Sequence, residues 1–148
     1  YLESGSSSGL IPLARTVNDG MPGIAASLIE KDFGSLKGRR VLIAGVSYRS
    51  LVRETAYSGA FALKDELEKL GAEVEAIDPL YSEAELAKLG FPALTETAEI
   101  ELIVVHTHHP DFESWTSSDF PKCSVIFQGR PGPLRSQLRP HFTVKDLF

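Results

Sequence analysis

The sequence predicts an α/β fold in which a doubly wound, mostly parallel sheet forms a three-layer sandwich behind an N-terminal helical arm. Two observations predict it. Short apolar runs rich in Val and Ile recur without alternating polar residues, such as VLIA at 41–44 and LIVVHT at 102–107, which is typical of parallel strands buried on both faces. Amphipathic stretches separate these runs, and this alternation indicates βαβ units.

The clearest βαβ unit begins with the run at 41–44, which follows the basic turn KGRR. Apolar residues then recur at helical spacing over residues 58–70, and Gly71 ends the helix. Residues 74–77 form the second strand. We expect a right-handed crossover between the two strands, with ligands at the carboxyl ends of the strands.

The rest of the chain continues this alternation, beginning with a short helix capped by Ser82. The elements predicted in chain order are a helix at 83–89, a short edge strand at 92–94, a helical turn at 95–100, a strand at 102–107, a loop or short helix at 110–119, a strand at 124–127, a helical turn at 133–138 and a strand at 142–144. This order is typical of a Rossmann-like, doubly wound sheet.

The first 36 residues are predicted to precede a sheet domain at 37–148. Residues 1–9 are rich in Ser and Gly and have the composition of a flexible lead, whereas apolar spacing at 11–32 predicts an amphipathic helix that stands apart as an arm. The sequence NDGMPG at 18–23 predicts a kink in it, or two helices end to end. Its apolar stripe needs a partner surface, either this domain or a second copy, and we expect a homodimer.

Composition narrows the possible functions. With 43% hydrophobic residues, the 148-residue chain can bury a core without disulfides or a metal. The formal charge of -5 is spread along the chain, which argues against nucleic acid or an acidic membrane as a partner. The single cysteine and the lack of a signal peptide or long apolar span in these residues make the cytoplasm the expected location.

The turn after the first strand reads GVSYRS at 45–50. A dinucleotide-binding fold needs G-x-G-x-x-G there, so that backbone amides can approach a pyrophosphate, and the second and third glycines are missing. Asp78 closes the second strand where a ribose-binding acid could sit. The alternative is a solvated carboxylate at a strand end. We expect no NAD binding by this domain.

Two side chains of the same turn suit a nucleotide ligand. Tyr48 offers a flat ring for stacking, and Arg49 offers a guanidinium group for phosphate oxygens. Arg130 follows another predicted strand at the same edge of the sheet. The alternative interpretation is that both arginines are ordinary surface charges in loops.

The sequence HTHH at 106–109 suggests a metal site, because alternate strand residues share a face. No further ligand stands at a recognisable spacing, which favours His106 packed at the strand end and His109 lining the crevice. Cys123 has no partner histidine nearby in the sequence, so we expect a small buried apolar residue rather than a nucleophile.

Several motifs together resemble one known family. They are ARTVNDGMP at 14–22, GVSYR at 45–49, GAEV through DP at 71–79, THHPDF at 107–112 and QGR at 128–130. These are similar to R-x-x-N-x-x-M-P, G-[LV]-[AS]-[FY]-[KR], a spaced G…DP, T-x-H-x-x-F and D-G-R. The family is the UDP-glucose/GDP-mannose dehydrogenases, in their carboxyl-terminal UDP-binding domain, and especially the branch that oxidises N-acetylhexosamine nucleotides.

The resemblance implies that a separate amino-terminal domain binds NAD, that a central helix joins two subunits, and that this domain holds the UDP part of a UDP-sugar. The implied reaction oxidises a sugar C6 alcohol to a carboxylate in two hydride transfers, through a thiohemiacetal on the cysteine of a G-x-C-x-x-K-D motif. That motif is absent from the 148 residues. The chain is therefore expected to be a fragment that binds no cofactor and has no activity alone.

On this basis we expect UDP beside the first strand, with Tyr48 and Arg49 on one wall, Arg130 nearby and His109 between them. The sequence departs from the family pattern after Arg49, since an Asp-Asp pair is replaced by Arg53-Glu54, which we expect to be a solvated loop pair. An alternative from another class is a free-standing module for nucleotide sensing or subunit interaction.

Overall fold

A computed structural model of the chain describes residues 10–56, 58–129, 138 and 140–147, with side chains from residue 20 onward. The lead at 1–9, most of the helical turn expected at 133–138, and Arg130 lie outside the described residues. None of the described helices is long and apolar enough to cross a bilayer.

Five parallel strands form one sheet in the order β2-β1-β3-β4-β5. They are β1 Arg40–Ala44, β2 Glu73–Ile77, β3 Leu102–Val105, β4 Val125–Gln128 and β5 Thr143–Asp146. The predicted doubly wound parallel sheet is confirmed. The strand order reverses between β1 and β3, and in such sheets a crevice opens at the carboxyl ends of the two strands.

The helices whose bounds lie in the described residues are α1 Leu10–Phe33, α2 Ala60–Lys69 and α3 Glu83–Lys88. Short 3₁₀ turns lie at Thr97–Glu99 and Pro110–Ser114. The predicted cap of α3 is confirmed, because the Ser82 hydroxyl accepts a hydrogen bond from the Glu85 amide and the Glu85 carboxylate accepts one from the Ser82 amide.

Apolar residues on the two faces of the sheet form two separate cores. One core includes Val41, Ile43 and Val104 with residues of α1 and α2, and the other includes Leu42 and Ile103 with buried aromatic rings. Strands β1, β3 and β4 therefore bury side chains on both faces, which is why their sequences lack polar alternation. The three-layer arrangement is confirmed.

Helix α1 differs from the expected arm in two ways. It runs continuously from Leu10 to Phe33 through Pro22, so the alternative of two helices end to end is wrong. Its C-terminal half does not stand apart, because Ala26 and Ile29 are buried in the core of the sheet domain. In this part of α1, the apolar residues therefore pack on the sheet domain of the same chain, although Ile24 and Leu28 stay exposed.

The edge strand expected at 92–94 is reduced to one bridge between Ala76 and Ala93. The Ala76 amide donates to the Pro92 carbonyl at 2.9 Å. At this edge Glu75 is buried and accepts hydrogen bonds from the Arg40 guanidinium and from the amide and hydroxyl of Thr95. The Arg40 and Thr95 groups keep the pKa of the Glu75 carboxyl below its ordinary range although burial alone would raise it. These contacts hold the segment around Thr95 against the edge of the sheet at β2.

Candidate functional site

The loop after β1 passes very close to the loop after β3. Gly45 has a φ of +84°, and a Cβ at this position would lie 2.0 Å from the backbone oxygen of Thr107. The Thr107 hydroxyl donates to the Ser47 carbonyl at 2.6 Å. Only glycine fits at position 45, because both the positive φ and the contact distance exclude a side chain. The two loops at the switch point therefore form one packed unit.

Asp78 ties this loop to the end of β2. Its Oδ2 accepts hydrogen bonds from the amides of Val46 at 2.8 Å and Ser47 at 3.2 Å, and from the Ser47 hydroxyl at 3.2 Å. Its Oδ1 accepts one from the Leu80 amide at 2.8 Å. The residue is 2% exposed. The interpretation of Asp78 as a solvated carboxylate is wrong, and both of its oxygens are engaged within the chain rather than free for a ribose hydroxyl.

These contacts have a consequence for ligand binding. In a dinucleotide-binding fold, amides of the first loop approach the pyrophosphate. Here the amides of Val46 and Ser47 already donate to the Asp78 carboxylate. A second anion at the same amides would meet the charge of that carboxylate, so this loop does not fit the pyrophosphate of NAD.

His109 lies behind the loop. Its Nε2 is 3.3 Å from the Ser47 hydroxyl oxygen and 3.4 Å from Asp78 Oδ2, and its ring contacts Phe112 edge-on at 5.5 Å between ring centroids. The residue is 0% exposed. The structure therefore does not place the His109 side chain on the wall of the crevice, where the sequence interpretation put it.

Tyr48 and Arg49 lie on the solvent side of the same loop. Tyr48 is 52% exposed, and Arg49 is exposed with its guanidinium carbon 6.0 Å from the centre of the Tyr48 ring. The Tyr48 amide donates to the Glu54 carbonyl at 2.6 Å, and Arg49 and Val52 form an antiparallel bridge. A short hairpin thus presents an aromatic ring and a cation side by side at the carboxyl end of β1.

Arg53 anchors the far side of this hairpin. Its guanidinium donates to the Leu80 carbonyl at 3.0 Å, pairs with the Glu85 carboxylate, and lies 4.8 Å over the ring of Tyr81. Arg53 and Glu54 are both exposed loop residues, as expected, and Arg53 in addition binds the start of α3. Glu54 accepts a hydrogen bond from the Ala56 amide at 2.8 Å.

The remaining candidates are placed as follows. Burial lowers the pKa of His106 below its ordinary range, and its Nδ1 lies 3.1 Å from the Thr107 hydroxyl, which agrees with packing at the strand end. Cys123 is buried, as predicted, and burial raises the pKa of its thiol to about 12. Within the described part of the chain, no three potential ligands come together as a metal site.

Sequence reasoning missed two members of this site and misjudged a third. Ser47, Thr107 and Asp78 lock the two loops together, yet their mutual hydrogen bonds join residues 31 to 60 positions apart. A polar residue next to a strand end carries no sequence signal of burial, so the positions of Asp78 and Ser47 after apolar runs did not reveal these contacts.

The fold and the loop together define a doubly wound α/β domain whose first loop differs from that of a dinucleotide-binding domain. The chain belongs to the UDP-glucose/GDP-mannose dehydrogenase family, because that family's UDP binding domain matches residues 42–131. The family inferred from the sequence motifs is confirmed.

Individual relatives agree with this assignment. A UDP-N-acetyl-D-mannosamine dehydrogenase of Methanococcus aeolicus is 29% identical over 132 residues, which are 86% of this chain and 29% of that protein. The solved UDP-glucose dehydrogenase of Pyrobaculum islandicum has the same fold, with a TM-score of 0.75 and 22% identity over 99% of this chain. A UDP-D-ManNAc dehydrogenase of Pyrococcus horikoshii superposes with a TM-score of 0.71 and 22% identity over 98% of this chain.

The chain spans about a third of these relatives. It covers 29% of the curated sequence, 34% of the Pyrobaculum structure and 35% of the Pyrococcus structure. It therefore corresponds to one part of each of these relatives.

Proposed function

We propose that this chain binds the UDP moiety of a nucleotide sugar at the hairpin after β1. The observation that carries the proposal is the exposed pair of Tyr48 and Arg49 at the switch point of a UDP-binding-domain fold. Since the loop amides of Val46 and Ser47 are occupied by Asp78, the positive charge for a diphosphate has to come from side chains.

The roles of the two residues follow from their chemistry. Arg49 presents a planar fork of N–H donors, which suits two phosphate oxygens at once. The Tyr48 ring offers a face on which a uracil ring can stack. Arg130 remains part of this proposal as a second phosphate ligand beyond β4, although it lies outside the described residues.

We further propose that the chain serves an NAD-dependent enzyme that oxidises the C6 alcohol of a UDP-sugar to a carboxylate in two hydride transfers. The family assignment supports this, and the Methanococcus relative favours a UDP-N-acetylhexosamine as the sugar. We propose that NAD is held by a domain outside these 148 residues, because the first loop here does not fit its pyrophosphate. We also propose that the protein forms a homodimer and works in the cytoplasm.

The test is calorimetric titration of the 148-residue chain with UDP. Arg49→Ala should weaken binding by roughly 10- to 100-fold, since one charge-assisted contact is worth about 1.5 to 3 kcal/mol. The matched control is Arg39→Ala, which removes an exposed arginine paired with Glu101 just before the amino end of β1. This control should bind UDP like the unmodified chain.

Two further variants sharpen the result. Tyr48→Phe should retain binding and Tyr48→Ala should lose it about tenfold, if the ring stacks on uracil. Arg130→Ala should weaken binding as Arg49→Ala does. Equal UDP affinity of Arg49→Ala, Arg130→Ala and the unmodified chain would show that these arginines are ordinary surface charges. NADH production from a UDP-sugar by the isolated chain would contradict the proposed location of the NAD site.

A further inference from the structure

A buried polar cluster lies directly beneath the proposed UDP site. It consists of Ser47, Asp78 and His109, whose side-chain atoms lie within 3.2 to 3.4 Å of one another. All three residues are buried. The cluster has no access to a ligand, so its members do not contact UDP.

The proton positions in the cluster follow from the acceptors present. The Ser47 hydroxyl donates to Asp78 Oδ2 at 3.2 Å. His109 Nε2 faces the Ser47 oxygen and the same carboxylate oxygen, and a carboxylate only accepts hydrogen bonds. With two acceptor oxygens facing it, Nε2 is the nitrogen that donates from His109 into the cluster.

The other ring nitrogen has no such role. His109 Nδ1 is buried without a hydrogen-bond partner among the described residues. A buried polar atom without a partner is unfavourable, so the ring is held by its contacts through Nε2 and by the edge-on contact with Phe112. An apolar residue at this position would avoid the unpaired nitrogen. The presence of histidine instead indicates that the hydrogen bonds from Nε2 to Ser47 and Asp78 are functionally important.

We infer that His109 is a positioning residue, which holds Ser47 and Asp78 so that the hairpin presents Tyr48 and Arg49 in the geometry that UDP requires. This inference rests on the proposed function. The connection is short, since Asp78 accepts from the amides of Val46 and Ser47, and Tyr48 is the next residue of the chain. Without the Nε2 donor, one of the groups that fix the Ser47 side chain is lost.

The test compares two substitutions in the 148-residue chain, with UDP as the probe. His109→Leu removes the donor and keeps an apolar side chain, and should weaken UDP binding by roughly 5- to 10-fold, the effect of one lost hydrogen bond. His109→Gln places an amide N–H near the position of Nε2 and should restore binding to within about threefold of the unmodified chain.

A second measurement, limited proteolysis, reports how easily the hairpin opens locally. Trypsin cleaves after exposed arginines, and Arg49 and Arg53 both lie in this hairpin. Cleavage there should be about tenfold faster in His109→Leu than in the unmodified chain, because local opening becomes easier. The matched control is Ile29→Val, a core substitution in α1, which lowers global stability without touching the loop. It should change neither UDP affinity nor cleavage in the hairpin.

The outcomes separate the inference from the function it builds on. If the unmodified chain binds UDP and His109→Leu binds it equally tightly, His109 does not position the site and the inference is overturned. If Ile29→Val weakens UDP binding as much as His109→Leu, the effect is one of general stability and the inference is also overturned. If the unmodified chain binds no UDP, the proposed function is overturned instead.

Discussion

The Oδ2 atom of Asp78 lies 2.8 Å from the backbone nitrogen of Val46, so the end of β2 supplies the anion for the loop after β1. In a dinucleotide-binding domain the ligand's pyrophosphate takes such a position. Here an internal carboxylate accepts the hydrogen bonds of these loop amides instead. In the proposed function, the side chains of the hairpin therefore take over the binding of the diphosphate.

Removing this carboxylate should destabilise the protein. We expect Asp78→Ala to lower the free energy of unfolding by about 3 kcal/mol, because two buried amides and the Ser47 hydroxyl lose their acceptor. Urea denaturation followed by circular dichroism measures this change. Asp65→Ala, on the exposed face of α2, is the control and should stay within about 0.5 kcal/mol. A similar loss for both variants would contradict the role of Asp78.

The hairpin holds Leu51 in a strained conformation. Leu51 has a φ of +61°, the single positive value outside glycine among the described residues, and its side chain is 66% exposed. Leu51→Asn should raise the free energy of unfolding by about 1 kcal/mol, because asparagine tolerates this region and little apolar burial is lost. Val52→Asn, next to it with negative φ, should give no such gain. If thermal unfolding shows the same change in stability for both variants, the backbone of Leu51 is not strained.

The stability of the protein should depend on pH through His106. Burial lowers the pKa of His106 in the folded protein, so the unfolded chain binds protons first as the pH falls. Above the ordinary pKa of about 6.5, His106 is neutral in both states and does not oppose folding. As the pH falls from there through the lower folded value, uptake of a proton by the unfolded chain lowers the free energy of unfolding. His106→Gln should lose less stability than the unmodified chain between pH 7.5 and about 5 in urea titrations. If the free energy of unfolding changes with pH to the same extent in both proteins, this prediction is wrong.

The thiol of Cys123 should be unreactive in the folded protein. Burial raises its pKa to about 12, so almost none of it is thiolate at neutral pH. Iodoacetamide at pH 8 should label the folded chain at least about 100-fold more slowly than the chain unfolded in urea. Rapid labelling of the folded chain would show an accessible thiolate and revive the interpretation of Cys123 as a nucleophile.

The candidate site illustrates what sequence reasoning could reach. The exposed positions of Tyr48 and Arg49 after β1 follow from the end of an apolar run and the polar residues beyond it. The same reasoning gave a solvated Asp78 and a His109 on the crevice wall, since polar side chains next to strand ends are mostly exposed. It placed Arg53 and Glu54 in an exposed loop, as found, but it could not reveal that Arg53 pairs with Glu85, 32 residues away.

The sequence by itself determined the order of helices and strands, the parallel sheet buried on both faces and the family. These properties depend on hydrophobic periodicity and short motifs, which are local in the chain. Only the tertiary structure decided that α1 packs onto the sheet domain, that Asp78 is buried, and that His109 is buried against Ser47 and Asp78. The physical reason is that the burial of a polar side chain depends on whether distant residues supply its hydrogen bonds, and no local pattern records those partners.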